Sequence, residues 1–272
     1  LLTSQTSGRF YHEWGIKTGI LQANKFPAED DKCIITTMQT CREEDKLKAL
    51  VRKLGGFSSS IDRLNGGLII IDECHFAGAD SDQKIMSYFP NAFIIGFTAT
   101  PFRKNKLMTN LFDCVAFTCS MQRMIDEGHL VPPKLHLTPY NVDDPAEMLA
   151  TIIKIYKEKH NDDKAVCYFK TIEEAKTARN ILVDAGITAT AVTSGRKGAA
   201  RDKLLDDVRI CPGSSILSAV EVLTAGFDVP NLICFFMPYK VGSVTTYLQR
   251  VGRGLRPFHN KTHCDIYVGA DS

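Results

Sequence analysis

Short apolar runs rich in β-branched residues recur along the chain, and longer amphipathic stretches separate them. The six clearest runs are CIITTM (33–38), LIIID (68–72), AFIIGF (92–97), AVCYF (165–169), SILSAV (215–220) and NLICFFM (231–237). Continuous apolarity without alternation is typical of a strand that is buried on both faces of a sheet. The stretches that predict helices include Glu44–Leu54, Ala146–His160, Ile172–Ala185 and Thr245–Gly252. Strands that alternate with helices predict βαβ units, a mainly parallel sheet and an α/β fold.

The alternation is interrupted once, by LVPPKLHLTPYNVDDPA (130–146), which contains four prolines and has no helical period. Adjacent prolines fix the backbone φ angle and remove N–H donors, which suits a stiff connector. We therefore expect a domain boundary near residues 138–145, with one domain at 1–140 and a second at 141–272. A chain of 272 residues is long enough for both.

Composition and charge exclude several classes of protein. Hydrophobic residues make up 44% and charged residues 24% of the chain, which is an ordinary globular balance. The net charge of +2 indicates no bulk basic character, so a nucleic-acid partner would have to meet a local basic patch. No apolar run approaches the roughly 18 residues of a membrane span, so we expect no membrane partner. Nine scattered cysteines, an odd number, favour reduced thiols and a cytoplasmic location.

The strongest local signal is LIIIDECHFAG (68–78), in which an apolar strand ends in two adjacent acids. Open parallel sheets bind ligands at the carboxyl ends of their strands. Asp72 is suited to hold Mg²⁺ against nucleotide phosphates, and Glu73 is suited to activate an attacking water as a general base. For the pair taken alone, a strand end with two solvated acids is the alternative. Cys74, between Glu73 and His75, is predicted to be a small packed residue rather than a nucleophile.

A second strand with a sharp end follows, IIGFTATPFR (94–103). Pro101 stops the strand, and the hydroxyls of Thr98 and Thr100 are expected beside the acidic pair. TATP alone predicts only a turn, and it gains meaning from the DECH strand that precedes it.

Near the end of the chain stands YLQRVGRGLRPF (247–258). On a helix that starts near Thr245, the side chains of Gln249, Arg253 and Arg256 share one face, while Arg250 projects elsewhere. Guanidinium groups on one face suit multidentate binding of phosphate oxygens. A basic surface helix that binds nucleic acid is the alternative.

In this order, DECH (72–75), TATPFR (98–103) and QRVGRGLR (249–256) resemble motifs II, III and VI of superfamily 2 helicases and translocases. The resemblance covers essentially the whole chain. It implies two tandem RecA-like domains, the first incomplete at its N-terminus, that use ATP and Mg²⁺ and act on nucleic acid. It further implies that Arg253 and Arg256 are arginine fingers for the γ-phosphate and that Gln249 assists them.

The same resemblance assigns further residues by position. The implied nucleic-acid contacts are Thr37 and Thr40 of TTMQT (36–40), Phe169 and Lys170 of AVCYFKTIEEA (165–175), and Ser218 and Thr224 of SAVEVLTAGFDVPNL (218–232). Gly226, Asp228 and His75 are implied cofactor-binding residues, and His75 together with Thr98 and Thr100 is implied to couple hydrolysis to nucleic-acid binding.

A motor of this kind needs the phosphate loop G-x-x-x-x-G-K-[ST], and the sequence contains none. We expect the chain to be a fragment whose loop lies further upstream, and hence to be inactive on its own. A pseudo-enzyme that has lost ATP binding is the alternative, but retained acids and arginines argue against it.

The resemblance implies an ATP-dependent helicase or translocase that favours DNA over RNA. The segments TATPFR (98–103) and QRVGRGLRP (249–257) are more similar to DNA-repair, restriction and phage helicases, including the RadD-like bacterial proteins, than to the RNA DEAD-box group. We therefore expect the protein in a bacterial or phage-infected cell. An RNA helicase or duplex-RNA-stimulated ATPase of the same superfamily is one alternative, and a non-catalytic nucleic-acid clamp is another.

Overall fold

The computed structural model describes residues 2–54, 67–76, 80–99, 102–103, 106–107, 112–192, 215–220, 229 and 231–269. The chain divides into two compact units, Leu1–Phe117 and Thr118–Ser272. Within the described ranges, no helix has both the length and the apolar character that crossing a bilayer requires.

The first unit combines four helices with short strands in its described part. Its elements are α1 (Leu2–Trp14), β1 (Thr18–Leu21), β2 (Cys33–Thr36), α2 (Met38–Cys41), α3 (Glu44–Lys53), β3 (Leu68–Ile71), α4 (Asp80–Ser87), β4 (Phe93–Gly96), β5 (Phe102–Arg103) and β6 (Lys106–Leu107). A short 3₁₀ helix, Cys74–Phe76, follows β3. Strand β1 pairs in parallel with β2, and β3 pairs in parallel with β4. The carboxyl ends of β3 and β4 therefore lie side by side.

The second unit is built on one six-stranded parallel sheet. Its elements are α5 (Met121–Asp126), β7 (Pro133–Thr138), α6 (Pro145–Lys159), β8 (Lys164–Tyr168), α7 (Ile172–Asp184), β9 (Ala189–Val192), β10 (Ser215–Ala219), β11 (Leu232–Met237), α8 (Val244–Gly254) and β12 (Cys264–Gly269). The strand order is β7-β12-β11-β8-β10-β9. Every neighbouring pair in this sheet is parallel.

Both faces of this sheet are buried at its inner strands, whereas the edge strand β7 exposes Leu135 and Leu137. One apolar cluster includes Val251 and Leu255 at the end of α8 together with Phe235 of β11. The other includes Ile152 of α6 and Leu182 of α7. The parallel strands are thus sandwiched between helices, as parallel sheets generally are.

Local sequence signals explain where the helices begin. The Asp144 carboxylate accepts the N–H groups of Ala146 at 2.9 Å and Glu147 at 3.2 Å, and Pro145 occupies the first turn of α6. The Thr171 hydroxyl accepts the Glu174 N–H at 3.1 Å and begins α7. Both are standard N-caps, because they satisfy backbone donors that have no partner within the helix.

The predicted α/β alternation is confirmed. Each of the six apolar runs contains a strand: β2, β3, β4, β8, β10 and β11. Each of the four amphipathic stretches contains a helix: α3, α6, α7 and α8.

The proline-rich stretch is not a connector between the two units, because it contributes an edge strand to the second sheet. Strand β7 starts at Pro133 and pairs with β12 along its whole length. Proline is tolerated there because the first residue of an edge strand need not donate to the ladder. The structure divides the chain between Phe117 and Thr118, so the predicted boundary at 140/141 lies within the second unit.

Candidate functional site

The two predicted catalytic acids lie in a tight turn directly after β3. Asp72 is exposed, and its Oδ1 accepts the backbone N–H of Glu73 at 2.9 Å. Glu73 has a φ of +50°, in the left-handed region that non-glycine residues seldom adopt. Such a backbone costs on the order of 1–3 kcal/mol and is concentrated at functional sites. The turn therefore places two carboxylates at the carboxyl end of β3.

The turn remains attached to the neighbouring strand after regular pairing ends. Phe97 donates its N–H to the carbonyl of Ile71 at 2.8 Å, and Cys74 donates its N–H to the carbonyl of Phe97 at 2.9 Å. Gly96 is required at this point, since a Cβ there would lie 2.8 Å from Cys74 Sγ and 2.5 Å from Phe112 Cζ. Cys74 is buried, and burial raises the pKa of its thiol. Both features fit the predicted packing role of Cys74.

His75 joins the acidic turn to the residue that follows β4. Its ring is 8% exposed, and its Nδ1 lies 2.9 Å from Thr98 Oγ1 and 3.2 Å from Glu73 Oε2. The ring nitrogen therefore hydrogen-bonds to the Thr98 hydroxyl and lies within ion-pair distance of the Glu73 carboxylate, so the histidine contacts both side chains. Thr100, its predicted companion, lies outside the described residues.

The threonines of TTMQT (36–40) form a capped turn. Thr37 is half-buried, and its Oγ1 accepts the N–H of Thr40 at 3.1 Å. The two hydroxyls lie 2.9 Å apart. Thr40 is only 5% exposed, which argues against a direct contact with a nucleic-acid strand. Thr37 is the residue of this pair that a ligand could reach.

At the carboxyl end of β8, the two predicted contacts differ in the same way. Phe169 is buried in the apolar core, and its N–H donates to the carbonyl of Ala219 at 2.8 Å. Its side chain is 4% exposed and offers little surface to a ligand, so its role as a nucleic-acid contact stays a prediction. Lys170 is exposed, and its Nζ lies 4.3 Å from the centroid of the Tyr239 ring. Desolvation, with a smaller contribution from the charge of Glu174, raises the pKa of Tyr239 to about 12.

The predicted arginine cluster is only partly helical. Helix α8 begins at a Ser243 cap, whose Oγ accepts the N–H of Thr246 at 3.1 Å, and ends at Gly254. Gln249 and Arg253 lie on this helix and are half-buried, whereas Arg256 follows it and is exposed. The prediction that all three share one helical face is therefore wrong for Arg256.

Close packing accounts for the end of α8. A Cβ at Gly254 would lie 2.1 Å from Phe235 Cε2, so the helix rests directly on β11. The next residue, Leu255, is fully buried, and its carbonyl accepts the N–H of Val131 at 2.8 Å. The backbone leaves the helix at this point in order to make that contact.

Arg250 has a role that the helical pattern does not reveal. Its guanidinium lies 4.5 Å from the centroid of the Tyr168 ring, a cation–π geometry. Burial raises the pKa of Tyr168, while the charges of Arg250 and Arg253 oppose that shift. Both arginines thus act on one buried ring at the end of β8. In the sequence, the only sign of this contact is an aromatic residue at the end of a core strand, and such a residue is equally typical of a side chain that only packs in the core.

The remaining predicted residues lie near or beyond the edge of the described structure. Ser218 sits within β10 with no exposed surface, and its Oγ has no hydrogen-bond partner among the described residues. That burial argues against a side-chain contact with nucleic acid, and the role of Ser218 stays a prediction. Thr224, Gly226 and Asp228 lie outside the described residues. Within the described ranges, no group of three or more His, Cys, Asp or Glu side chains is arranged to hold a metal ion.

Two protein-family models match the chain. The model for the res subunit of type III restriction enzymes matches residues 2–103, and the model for the helicase conserved C-terminal domain matches residues 146–257.

Curated relatives point in the same direction. A Saccharomyces cerevisiae protein assigned as the ATP-dependent helicase IRC3 is 26% identical over 276 residues, which is 90% of this chain and 38% of that protein. The Escherichia coli EcoAI type I restriction endonuclease subunit is 25% identical over 241 residues, which is 70% of this chain and 29% of that protein. The chain therefore spans less than half the length of these relatives.

Among solved structures, the chain is similar to a fragment assigned as the HsdR subunit of a type I restriction enzyme from Vibrio vulnificus YJ016. The TM-score is 0.69 at 22% identity, over 97% of this chain and 52% of that chain. At this identity the similarity shows the fold, which is the RecA-like α/β fold.

Proposed function

The chain carries the core of a superfamily 2 helicase, and from that premise we propose that it belongs to a DNA motor. The motor hydrolyses ATP and uses the free energy to translocate along DNA or to separate its strands. The observation that carries this proposal is the contact of His75 with both Glu73 and Thr98.

Asp72 is the residue that we assign to the Mg²⁺ of Mg·ATP. Its carboxylate is exposed and oriented by the Glu73 N–H, and carboxylate oxygen is the ligand type that Mg²⁺ prefers. When bound, Mg²⁺ supplies charge neutralisation to the phosphate oxygens. Asp72 itself contributes a fixed anchor at the carboxyl end of β3.

Glu73 is assigned as the general base that takes a proton from the attacking water. The neighbouring His75 orients it, because Oε2 of Glu73 lies 3.2 Å from Nδ1 of the ring. Thr98 reaches the same nitrogen from the end of β4, so a movement of that segment changes the position of the base. This link is the physical basis that we propose for coupling, and Thr100 stays a prediction beside it.

In the second unit, Gln249, Arg253 and Arg256 are assigned to the phosphate oxygens of the nucleotide. Arg253 is half-buried on α8, which restricts its side chain, while Arg256 is exposed and accessible to a phosphate group. The roles of Gly226 and Asp228 stay predictions.

DNA is proposed as the nucleic acid because restriction enzymes, which act on DNA, recur among the matched families and relatives. Thr37 and Lys170 are the contacts that accessibility supports, and Thr224 stays a prediction. Contacts of this kind reach the phosphate backbone rather than the bases, so we expect weak sequence preference. We propose a cytoplasmic location for the motor.

The test is ATP turnover by the full-length polypeptide that contains this chain, with duplex DNA, single-stranded DNA and RNA as separate additions. Glu73→Gln removes the general base, so we expect turnover to fall about 10²–10⁴-fold. Glu44→Gln is the matched control, because Glu44 is exposed on α3 and pairs only with surface residues such as Lys48 in the described part of the chain. It should leave turnover unchanged.

Three outcomes would contradict the proposal. Stimulation by RNA alone would assign the chain to an RNA-dependent motor. Nucleic-acid binding without turnover would indicate a non-catalytic clamp. Equal turnover by the Glu73→Gln and Glu44→Gln variants would remove Glu73 from the reaction.

A further inference from the structure

The first unit contains a buried carboxylate that an arginine from another helix holds. Asp82 on α4 has no exposed surface, and its Oδ1 accepts Nε of Arg42 at 3.1 Å and Nη2 of Arg42 at 2.8 Å. The hydroxyl of Ser81 lies 3.4 Å from the same oxygen. A carboxylate removed from water is costly to bury unless charged donors meet it. The position of Asp82 therefore depends on the position of Arg42.

The arginine of this pair lies at the end of the short helix α2, which the TTMQT segment (36–40) begins. Arg42 directly follows α2 and caps its carboxyl end, donating its backbone N–H to the carbonyl of Met38 at 3.1 Å. The other end of α2 is capped by Thr37. Since α2 has only four residues, Thr37 and Arg42 move as parts of one short rigid turn.

The carboxylate of the pair, Asp82, lies on α4, which follows the catalytic turn, the name used here for residues 72–76. Helix α4 begins four residues after Phe76, the last residue of the 3₁₀ helix that carries His75. Ile85 and Met86 of α4 are buried in one apolar cluster with Cys74 of the catalytic turn and Cys41 of α2. The catalytic turn, α4 and α2 thus contribute to one apolar cluster. The Arg42–Asp82 ion pair is a second, polar link between α2 and α4.

We propose that Arg42 and Asp82 form a positioning pair that couples nucleic-acid contact at Thr37 to the catalytic turn at Asp72 and Glu73. This inference rests on the proposed function. In this proposal neither member of the pair is assigned a direct contact with nucleotide or nucleic acid. A strand that shifts the Thr37 turn shifts Arg42, and the buried carboxylate of Asp82 follows, which moves α4 and the turn before it.

The two members of the pair allow a graded test. The Arg42 side chain is 47% exposed and that of Asp82 is 1% exposed. Arg42→Lys keeps the charge but loses the two-nitrogen grip on Oδ1, and Arg42→Ala removes both. Lys48→Ala is the matched control, because Lys48 on α3 forms an exposed pair with Glu44 at 2.8 Å.

The experiment measures ATP turnover of the full-length polypeptide with and without saturating duplex DNA, together with the affinity for DNA with and without a non-hydrolysable ATP analogue. Coupling between two binding sites is reciprocal and typically amounts to about 5–150-fold. For Arg42→Ala we expect the DNA stimulation ratio to fall at least about fivefold, with basal turnover within about twofold of wild type. The effect of the analogue on DNA affinity, which reports the coupling between the two binding sites, should also shrink relative to wild type. Arg42→Lys should fall between Arg42→Ala and wild type.

A merely structural pair would give a different pattern, in which basal and stimulated turnover fall together with the melting temperature and the ratio stays constant. That result, or a ratio equal to that of Lys48→Ala, would overturn the inference. If Arg42→Ala fails to fold, Arg42→Lys decides by the same ratio. Absence of DNA stimulation in the wild-type motor would overturn the proposed function and this inference with it, whereas an unchanged ratio in a stimulated motor would overturn the inference alone.

Discussion

The two units treat the second face of a parallel sheet in opposite ways. In the second unit, β8, β10 and β12 are buried at every position. In the first unit, β3 and β4 each expose every other side chain. The apolar side chains on that open face are Leu68, Ile70, Phe93 and Ile95, between 45% and 70% exposed. Among the described residues of the first unit, nothing covers this face.

The functional groups differ in a related way. In the first unit, Asp72 and Glu73 lie in a strained turn, where Asp72 is exposed and Glu73 is half-buried. In the second unit, α8 is packed onto β11, and Arg250 is used against the buried ring of Tyr168. The comparison teaches that the first unit combines an accessible site with an uncovered sheet, while the second provides a rigid platform for its charges.

The largest expected contrast is between two phenylalanines on the two sheets. Phe236 of β11 is fully buried and stacks on Tyr267 with 5.3 Å between ring centroids, whereas Phe93 of β4 is 70% exposed. Phe236→Ala should lower the free energy of unfolding by about 3–5 kcal/mol because it leaves a cavity. Phe93→Ala should change it by less than about 0.5 kcal/mol. Urea unfolding of the chain, followed by far-UV circular dichroism, measures both; equal losses would mean that the open face is covered in solution.

A glycine pair on α8 tests the rigid platform with a smaller effect. A Cβ at Gly254 would lie within 3 Å of both Phe235 and Cys264, whereas a Cβ at Gly252 would meet nothing within 4 Å. Gly254→Ala should therefore destabilise the second unit by about 1–3 kcal/mol through overpacking. Gly252→Ala should stabilise it by about 0.5–1 kcal/mol through reduced backbone entropy. Melting temperatures of the two variants should move in opposite directions, and a shared direction would contradict the close approach of α8 to β11.

The smallest stability effect is expected on the open face itself. Ile70 is 56% exposed, so Ile70→Thr should change the free energy of unfolding by less than about 0.5 kcal/mol. It should reduce binding of an apolar dye and raise solubility, because exposed apolar patches favour association. Dye fluorescence and light scattering of wild type and variant provide the measurement. A clear loss of stability without a change in dye binding would show that Ile70 is packed.

Sequence patterns predicted the positions of helices and strands better than the burial and pairing of those elements. All six apolar runs contain strands, and the four amphipathic stretches contain helices, because periodicity is a local property. The same patterns predicted burial on both faces for every run, which fails at β3 and β4. An apolar strand looks the same in sequence whether or not a second layer covers it. Strand β7 was missed because its prolines favour a connector and only its pairing with β12 reveals the edge of a sheet.

The candidate site shows the same division. The sequence predicted Asp72, Glu73 and His75 at the end of one strand and Thr98 at the end of another, and the structure brings the last three into contact. The sequence did not predict that Thr37 is more accessible than Thr40, or Lys170 more accessible than Phe169. Whether a side chain in such a short segment faces the core or the surface depends on the local backbone direction, which the sequence pattern does not specify.

The sequence by itself determined which residues follow which strands, and therefore the α/β fold, the acidic turn and the arginine-rich segment. Tertiary structure alone decided which of these side chains are accessible, and it placed Arg250 against Tyr168 and Arg42 against Asp82. The physical reason is that hydrophobic periodicity and turn chemistry act over a few residues. Burial, by contrast, depends on which distant elements are packed around a position. Arg42 and Asp82 are 40 positions apart in the sequence, so no local pattern predicts their contact.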